Sequence, residues 1–361
     1  GDVAYLQWIN LVWAVYNDDG SLRAGPFAGN SFWAGFPGNC QNNNNGDPIV
    51  HYDDNAQRWM VSQFAINQGT QCVAVSTTAD PLGSYNRYEF VVTPGGLNDY
   101  PKMGVWDDGT TGSNGQSAYT FTMRDFGGAG GGFSNSAGVM ERDAMLAGTP
   151  AQFIKFSFPC TVIDCREGTL PAHLDGGPVP NGTCPNFFTY TDEQFDDSPH
   201  GSDGVRNDRL CVDWASIGST TFTEGTFATG GNFDRGLGNG FSDCITPVLG
   251  GEPLDCLAIF TMHAAQVRNQ DSHCSVLVNT TVDAGGSRAG IRWGELRSSN
   301  CQDNWTFHQE GTYAPVDEID RWMGSMAMDQ DGNIALGYSA TSGSLFPAVR
   351  YTSRMASDPL G

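Results

Sequence analysis

A chain of 361 residues with 18 Lys plus Arg against 40 Asp plus Glu carries a formal net charge of −22, which excludes nucleic acid and anionic membrane surfaces as partners and leaves cations as favoured ones. Its 47 glycines, 11% aromatics and only 16% charged residues, against roughly 25% in ordinary domains, exclude long helices and favour short strands joined by turns. No run is apolar and long enough to span a bilayer.

The chain opens on "GDVAYLQWIN" (1–10), which already reads as strand, so a leader is expected to have been removed or to lie outside this sequence. A recurring hairpin follows. "VWAVYNDDGSL" (12–22), "HYDDNAQRWMVSQF" (51–64), "MGVWDDGTTG" (103–112) and "AMDQDGNIALGYSA" (327–340) each join two apolar runs through an acidic or amide turn, the strongest short hairpin signal. "VLVNTTVDAGGSRAGIRWGEL" (276–296) adds a strand pair around a Gly-rich turn. The 51–64 hairpin is followed by "VAVSTTADPLGSYNRYEFVV" (73–92), and the 327–340 hairpin by "AVRYTSRMASDPLG" (348–361). An aspartate precedes the apolar run of most units: Asp2, Asp47, Asp99, Asp255 and Asp320, with Asp175 a weaker sixth.

Four-stranded units recurring without helices between them predict an all-β fold, a β-propeller. The Asp-led starts give six blades in a single domain, at about 1–45, 46–98, 99–170, 171–254, 255–318 and 319–361, or seven if the long fourth unit hides two. A β-sandwich would not explain the recurrence of whole units. In the second unit "ADPLG" runs on into a fourth strand, whereas the last unit reaches only "SDPLG". That leaves an edge open to strand donation from another chain, and head-to-tail donation builds filaments.

Ten cysteines without a CxxC pair argue against a zinc framework and for disulfides in an extracellular or cell-surface setting, the alternative being buried thiols in a cytosolic enzyme. The expected pairs are Cys40–Cys72, Cys160–Cys165, Cys184–Cys211, Cys244–Cys256 and Cys274–Cys301. The sequons at Asn181, Asn279 and Asn304 are candidate glycosylation sites.

"NNGDPIVHYDDNAQRWMVSQFA", "QCVAVSTTADPLGSY", "YPKMGVW" and "YAPVDEIDRWMGSMAMDQDGNIALGYS" together make the chain resemble an uncharacterised family of secreted bacterial β-propeller proteins. The resemblance covers most of the chain and implies the fold. Its motifs mark no chemistry, so no catalytic residue is carried over.

The six histidines show no metal spacing, and HExxH, GxSxG and Walker motifs are absent from the sequence. "GGAGGG" (127–132) lacks the lysine and helix that a phosphate would need. Asp271, His273, Arg321 and Lys102 could converge at one mouth of the propeller as catalytic groups, or each could be a solvated loop residue or part of a structural ion pair. If Asp2, Asp47, Asp99, Asp255 and Asp320 begin innermost strands, they form an acidic ring suited to Ca²⁺; otherwise each caps a local turn. The tryptophans Trp13, Trp33, Trp59, Trp106, Trp293 and Trp322 could stack on sugars or pack the core, core being the safer reading. Lacking a catalytic signature, the chain is expected to be a non-enzymatic surface structural or binding protein, which the open edge would let polymerise. The alternative is a carbohydrate-active enzyme, glycoside hydrolase or polysaccharide lyase, acting on glycans at the channel mouth.

Overall fold

Short alternating runs around tight turns build the chain from antiparallel meanders. The computed structural model describes residues 4–361 apart from 67, 113, 129–130, 161–165, 194–199 and 239. Two compact units result, residues 1–161 with 213–217 and residues 162–212 with 218–361. The fold class is the expected β-propeller, with six meanders as blades, three in each unit.

In the first unit the first blade comprises β1 (Ala4–Ile9), β2 (Val12–Asn17) and β3 (Leu22–Ala28). The second comprises β4 (Ile49–Asp53), β5 (Arg58–Ala65), β6 (Thr70–Ser76) and β7 (Tyr85–Val91). The third comprises β8 (Gly96–Trp106), β9 (Ala118–Gly127), β10 (Phe133–Glu141) and β11 (Phe153–Pro159). Two short helices, α1 (Asn39–Asn42) and α2 (Arg142–Ala147), lie between strands. Apolar faces of neighbouring blades meet. Leu6, Trp8, Trp13 and Trp33 pack with Val61 and Ala74, while Met60, Val73 and Phe90 pack with Met103, Tyr119 and Phe121.

In the second unit the blades are β12 (Leu170–Leu174), β13 (Asn186–Thr191), β14 (Gly204–Cys211) and β15 (Thr221–Thr229), then β16 (Thr261–Asn269), β17 (Cys274–Asp283), β18 (Ala289–Ser298) and β19 (Thr306–Tyr313), then β20 (Asp320–Met328), β21 (Ile334–Ser342) and β22 (Leu345–Arg354). Here β12 runs parallel to β16, pairing Ala172 with Ala265 and Leu174 with Val267, so two blades share one eight-stranded sheet. The "DQDGN" segment is the β20–β21 turn, in which Asp329 Oδ1 accepts from the backbone N–H groups of Asp331 and Asn333. Strand β22 pairs with β21, and among the described residues no fourth strand covers its other edge. Val349 and Tyr351 on it are almost fully exposed.

The tryptophans are core residues, Trp33 and Trp106 wholly buried and Trp13, Trp293 and Trp322 nearly so, while the partly buried Trp59 donates its indole N–H to Ala79 O. Four expected disulfides are present: Cys40–Cys72, Cys184–Cys211, Cys244–Cys256 and Cys274–Cys301. Cys160 is also disulfide-bonded, and its expected partner Cys165 lies outside the described residues. Of the sequons, Asn181 and Asn304 are exposed. Asn279 is a correction: it is fully buried in β17 and donates through Nδ2 to Met262 O at 2.7 Å. Peptide mapping of protein passed through a glycosylating secretory pathway is expected to find Asn279 unmodified, because a glycan there would have to unfold the strand; an occupied Asn279 would contradict this strand placement.

Candidate functional site

A proline inside a strand signals a break in its ladder, because it has no N–H to donate. "NDYPK" carries one, and β8 is bulged there: Asp99 pairs with Arg124 and Lys102 with Thr122, so Tyr100 and Pro101 together face one residue of β9. Tyr100 takes a left-handed conformation, φ +50°. Backbone of this kind costs of order 1–3 kcal/mol for a bulky side chain and concentrates at functional sites.

The loop entering β4 meets this bulge. Asp47, also left-handed at φ +47°, accepts a hydrogen bond from the Tyr100 backbone N–H. Gly46 before it has φ +100°, and a Cβ there would run into Asn10 Oδ1, so the approach to Asp47 is closed to other residues. On β4, His51 Nε2 lies 2.7 Å from Met103 O of β8, tying the two inner strands together. The result is a cluster of Asp47, Asp99, Tyr100 and Lys102, all partly buried.

Its electrostatics are uneven. Burial pushes the Asp47 carboxyl up, and Asp99 adds to this, while Lys102 and the Tyr100 N–H oppose it. Burial pulls the Lys102 ammonium down to about 8 against the attraction of Asp47 and Asp99. Lys102 Nζ lies 3.5 Å from the centre of the Tyr100 ring and donates at 3.4 Å to Pro101 O. Among the described residues it forms no ion pair. A carboxyl whose hold on its proton is strengthened by burial, a second carboxylate and an amine of reduced basicity together form a set able to move protons.

Lys102 is thus the one catalytic candidate that the structure places in such a cluster. Asp271 is exposed in the β16–β17 turn, with His273 two residues on, where burial and then Arg297 hold the imidazole low. Arg321 is buried on β20 and spent on a bidentate ion pair with Asp317, at 2.9 and 2.7 Å. It does not converge with Asp271 and His273, which is a correction: Gln270 reaches Met328 at the other end of β20, seven residues from Arg321, roughly 20 Å along a strand.

The aspartates do not behave as one set. Asp47 and Asp99 interact, as above. In the second unit Asp320 Oδ1 accepts from Ala289 N at 2.8 Å, and the exposed Asp255 accepts from Asp243 N at 3.3 Å. Each holds a backbone amide of a segment distant in sequence, neither a shared ring of carboxylates nor the cap of a local turn. Asp2 lies outside the described residues. Among the described residues no group of three or more His, Cys, Asp or Glu side chains is placed to hold a metal ion.

Sequence reasoning missed Tyr100, whose ring underlies the amine; its signal was the proline beside it. It also missed His173, on β12, whose burial pushes the imidazole from 6.5 down to about 4. The unfolded chain therefore takes up the proton first. Stability falls as pH drops from about 6.5 to about 4, on the order of 3 kcal/mol in all. Denaturation midpoints across that range should fall less steeply for His173→Gln than for the parent, and equal steepness would show that another group sets the acid limit.

No family model matches the chain, and no curated protein matches it in sequence. Solved structures similar to it include a GH43 endo-arabinanase from Bacillus licheniformis, 9% identical over 85% of this chain and 92% of that one, with a TM-score of 0.38. An endo-arabinase from Bacteroides thetaiotaomicron is 13% identical over 87% of this chain and 95% of that one, TM-score 0.39. A PL25 ulvan lyase is 12% identical over 94% of this chain and 77% of that one, TM-score 0.37. These are carbohydrate-active enzymes, and on that finding the expectation of a non-enzymatic, filament-forming surface protein is withdrawn. Likeness of this degree passes no residue role or substrate to this chain.

Proposed function

We propose that the protein is an extracellular glycan-cleaving hydrolase whose proton-transfer groups are Asp47 and Asp99. The observation that carries this reading is their pairing at a bulged, left-handed turn, with the carboxyl of one pushed up. Glycosidic hydrolysis needs a protonated carboxylic acid for the leaving oxygen and a second carboxylate for the attacking water or the sugar carbon. Asp47, whose carboxyl burial pushes up, is the acid. Asp99 is the base or nucleophile. A net charge of −22 favours a neutral glycan over the uronate polymers that lyases cleave, because like charge repels the substrate before it docks. The disulfides fit an oxidising, extracellular compartment.

Reducing-sugar release from a panel of neutral polysaccharides tests this. The parent should be active on at least one, and Asp47→Asn should lower kcat by about 10²–10⁴-fold, the usual contribution of a general acid. Unchanged turnover in that variant, or an inert parent, would overturn the assignment.

A further inference from the structure

The stretch "DPLG" occurs twice, at 80–83 and 358–361. In the second blade it leads into β7, and the Tyr85 ring there packs edge-on against Phe32 at 5.0 Å, which in turn stacks on Trp13 of the preceding blade. Beside the second copy the corresponding place is an open cleft of about 490 Å³, with Asp358, Pro359 and Gly361 as one wall and Trp293 of the preceding blade on the other. A cleft of that size lies in the range small ligands occupy.

The cleft is kept open by a glycine. Gly311 on β19 is the cross-strand partner of Trp293, so no side chain covers the indole from that side. Its backbone is ordinary strand, with no positive φ to require glycine, yet a Cβ there would stand 3.3 Å from the indole Nε1. Glycine inside a strand weakens it and often marks a close approach by a ligand. Two donors at the cleft lack acceptors among the described residues. Arg354 Nη1 is buried and unpaired, while Nη2 donates to Asp358 O and Pro359 O, both at 3.0 Å, which holds the guanidinium 5.9 Å from the centre of the Trp293 ring. The other donor is the Trp293 indole N–H, in a residue 9% exposed. Asp358, the acidic side chain in the lining, is spent on the Met355 N–H at 2.8 Å. Buried donors without partners are unfavourable, and an anion relieves them most strongly. The apolar lining of Met326, Ile334 and Leu336 gives a sugar's hydroxyls too few partners, whereas a flat ring buries its surface there.

We propose that this cleft binds a small aromatic carboxylate, with its ring beside Trp293 and its carboxylate on the Arg354 guanidinium, at a site separate from Asp47 and Asp99.

Isothermal titration of the full chain with 2-naphthoate tests this, with 2-naphthamide as the uncharged isostere. The acid should bind at least about tenfold more tightly than the amide, because hydrogen bonds between ionised partners are roughly twice as strong as neutral ones. Arg354→Gln should erase that preference. Gly311→Val, with the circular dichroism spectrum unchanged, should abolish binding of both compounds by filling the cleft. A parent that does not bind naphthoate, equal affinity for acid and amide, a preference surviving Arg354→Gln, or binding surviving Gly311→Val would overturn the proposal. So would binding of a peptide of residues 84–92 by a parent that ignores naphthoate, which would give the seat to a fourth strand. The readout needs no glycan, so it stands or falls independently of the hydrolase reading.

Discussion

Arg142→Ala is expected to destabilise the protein by about 3–5 kcal/mol, the cost of leaving a buried carboxylate without its cation. Arg142 and Asp53 are 5% and 1% exposed. The guanidinium grips Asp53 at 2.7 and 2.9 Å and reaches Asp107 at 3.1 Å, while the Tyr119 hydroxyl donates to Asp53 at 3.1 Å. Removing the arginine leaves Asp53 with only that hydroxyl and the Ala56 N–H as partners. Replacing both members, Asp53→Leu with Arg142→Met, should recover much of the loss, because an apolar pair carries no desolvation penalty. Urea unfolding of the three proteins decides it. A single-variant loss below about 1 kcal/mol would mean that water reaches the pair.

Cys40→Ser with Cys72→Ser should cost about 3–4 kcal/mol, the loop entropy released when a crosslink spanning about 32 residues is cut. Both sulfurs are fully buried, and the bond fastens α1 to β6. The Cys40 N–H also donates to Glu89 at 3.0 Å. The same stretch of chain carries Asp47 seven residues later, so turnover should fall more than the fraction of folded protein does. Chemical denaturation and activity measured on one preparation separate the two effects. A drop in activity that only tracks unfolding would show that the bond stabilises the fold without positioning the site.

What could be read from the sequence was what is local. Hairpins around 54–57 and 329–333, the recurrence of the meander, and disulfides closing loops of a few tens of residues all depend on residues near one another in the chain. The recurrent Asp-led start pointed to Asp47 and Asp99, and their proximity follows from neighbouring blades placing equivalent positions side by side. Other readings failed where burial or distance decided. A sequon gives no sign that Asn279 faces the inside of a sheet. Arg321 looked available, yet Asp317 four residues earlier folds back onto it. Asp53 and Arg142 are 89 residues apart, joined by a pairing that no spacing rule reaches.

The parallel pairing of β12 with β16 has a consequence for how the second unit breathes. Blades whose backbone bonds stop at their own borders can open singly, each exposing its own amides to solvent. Here the inner strand of one blade is laced to the inner strand of the next, so opening either one strips protection from both. Strands β12 to β19 therefore form one cooperative block for solvent exchange, with the slowest amides at the seam and faster ones toward the free edges of β15 and β19.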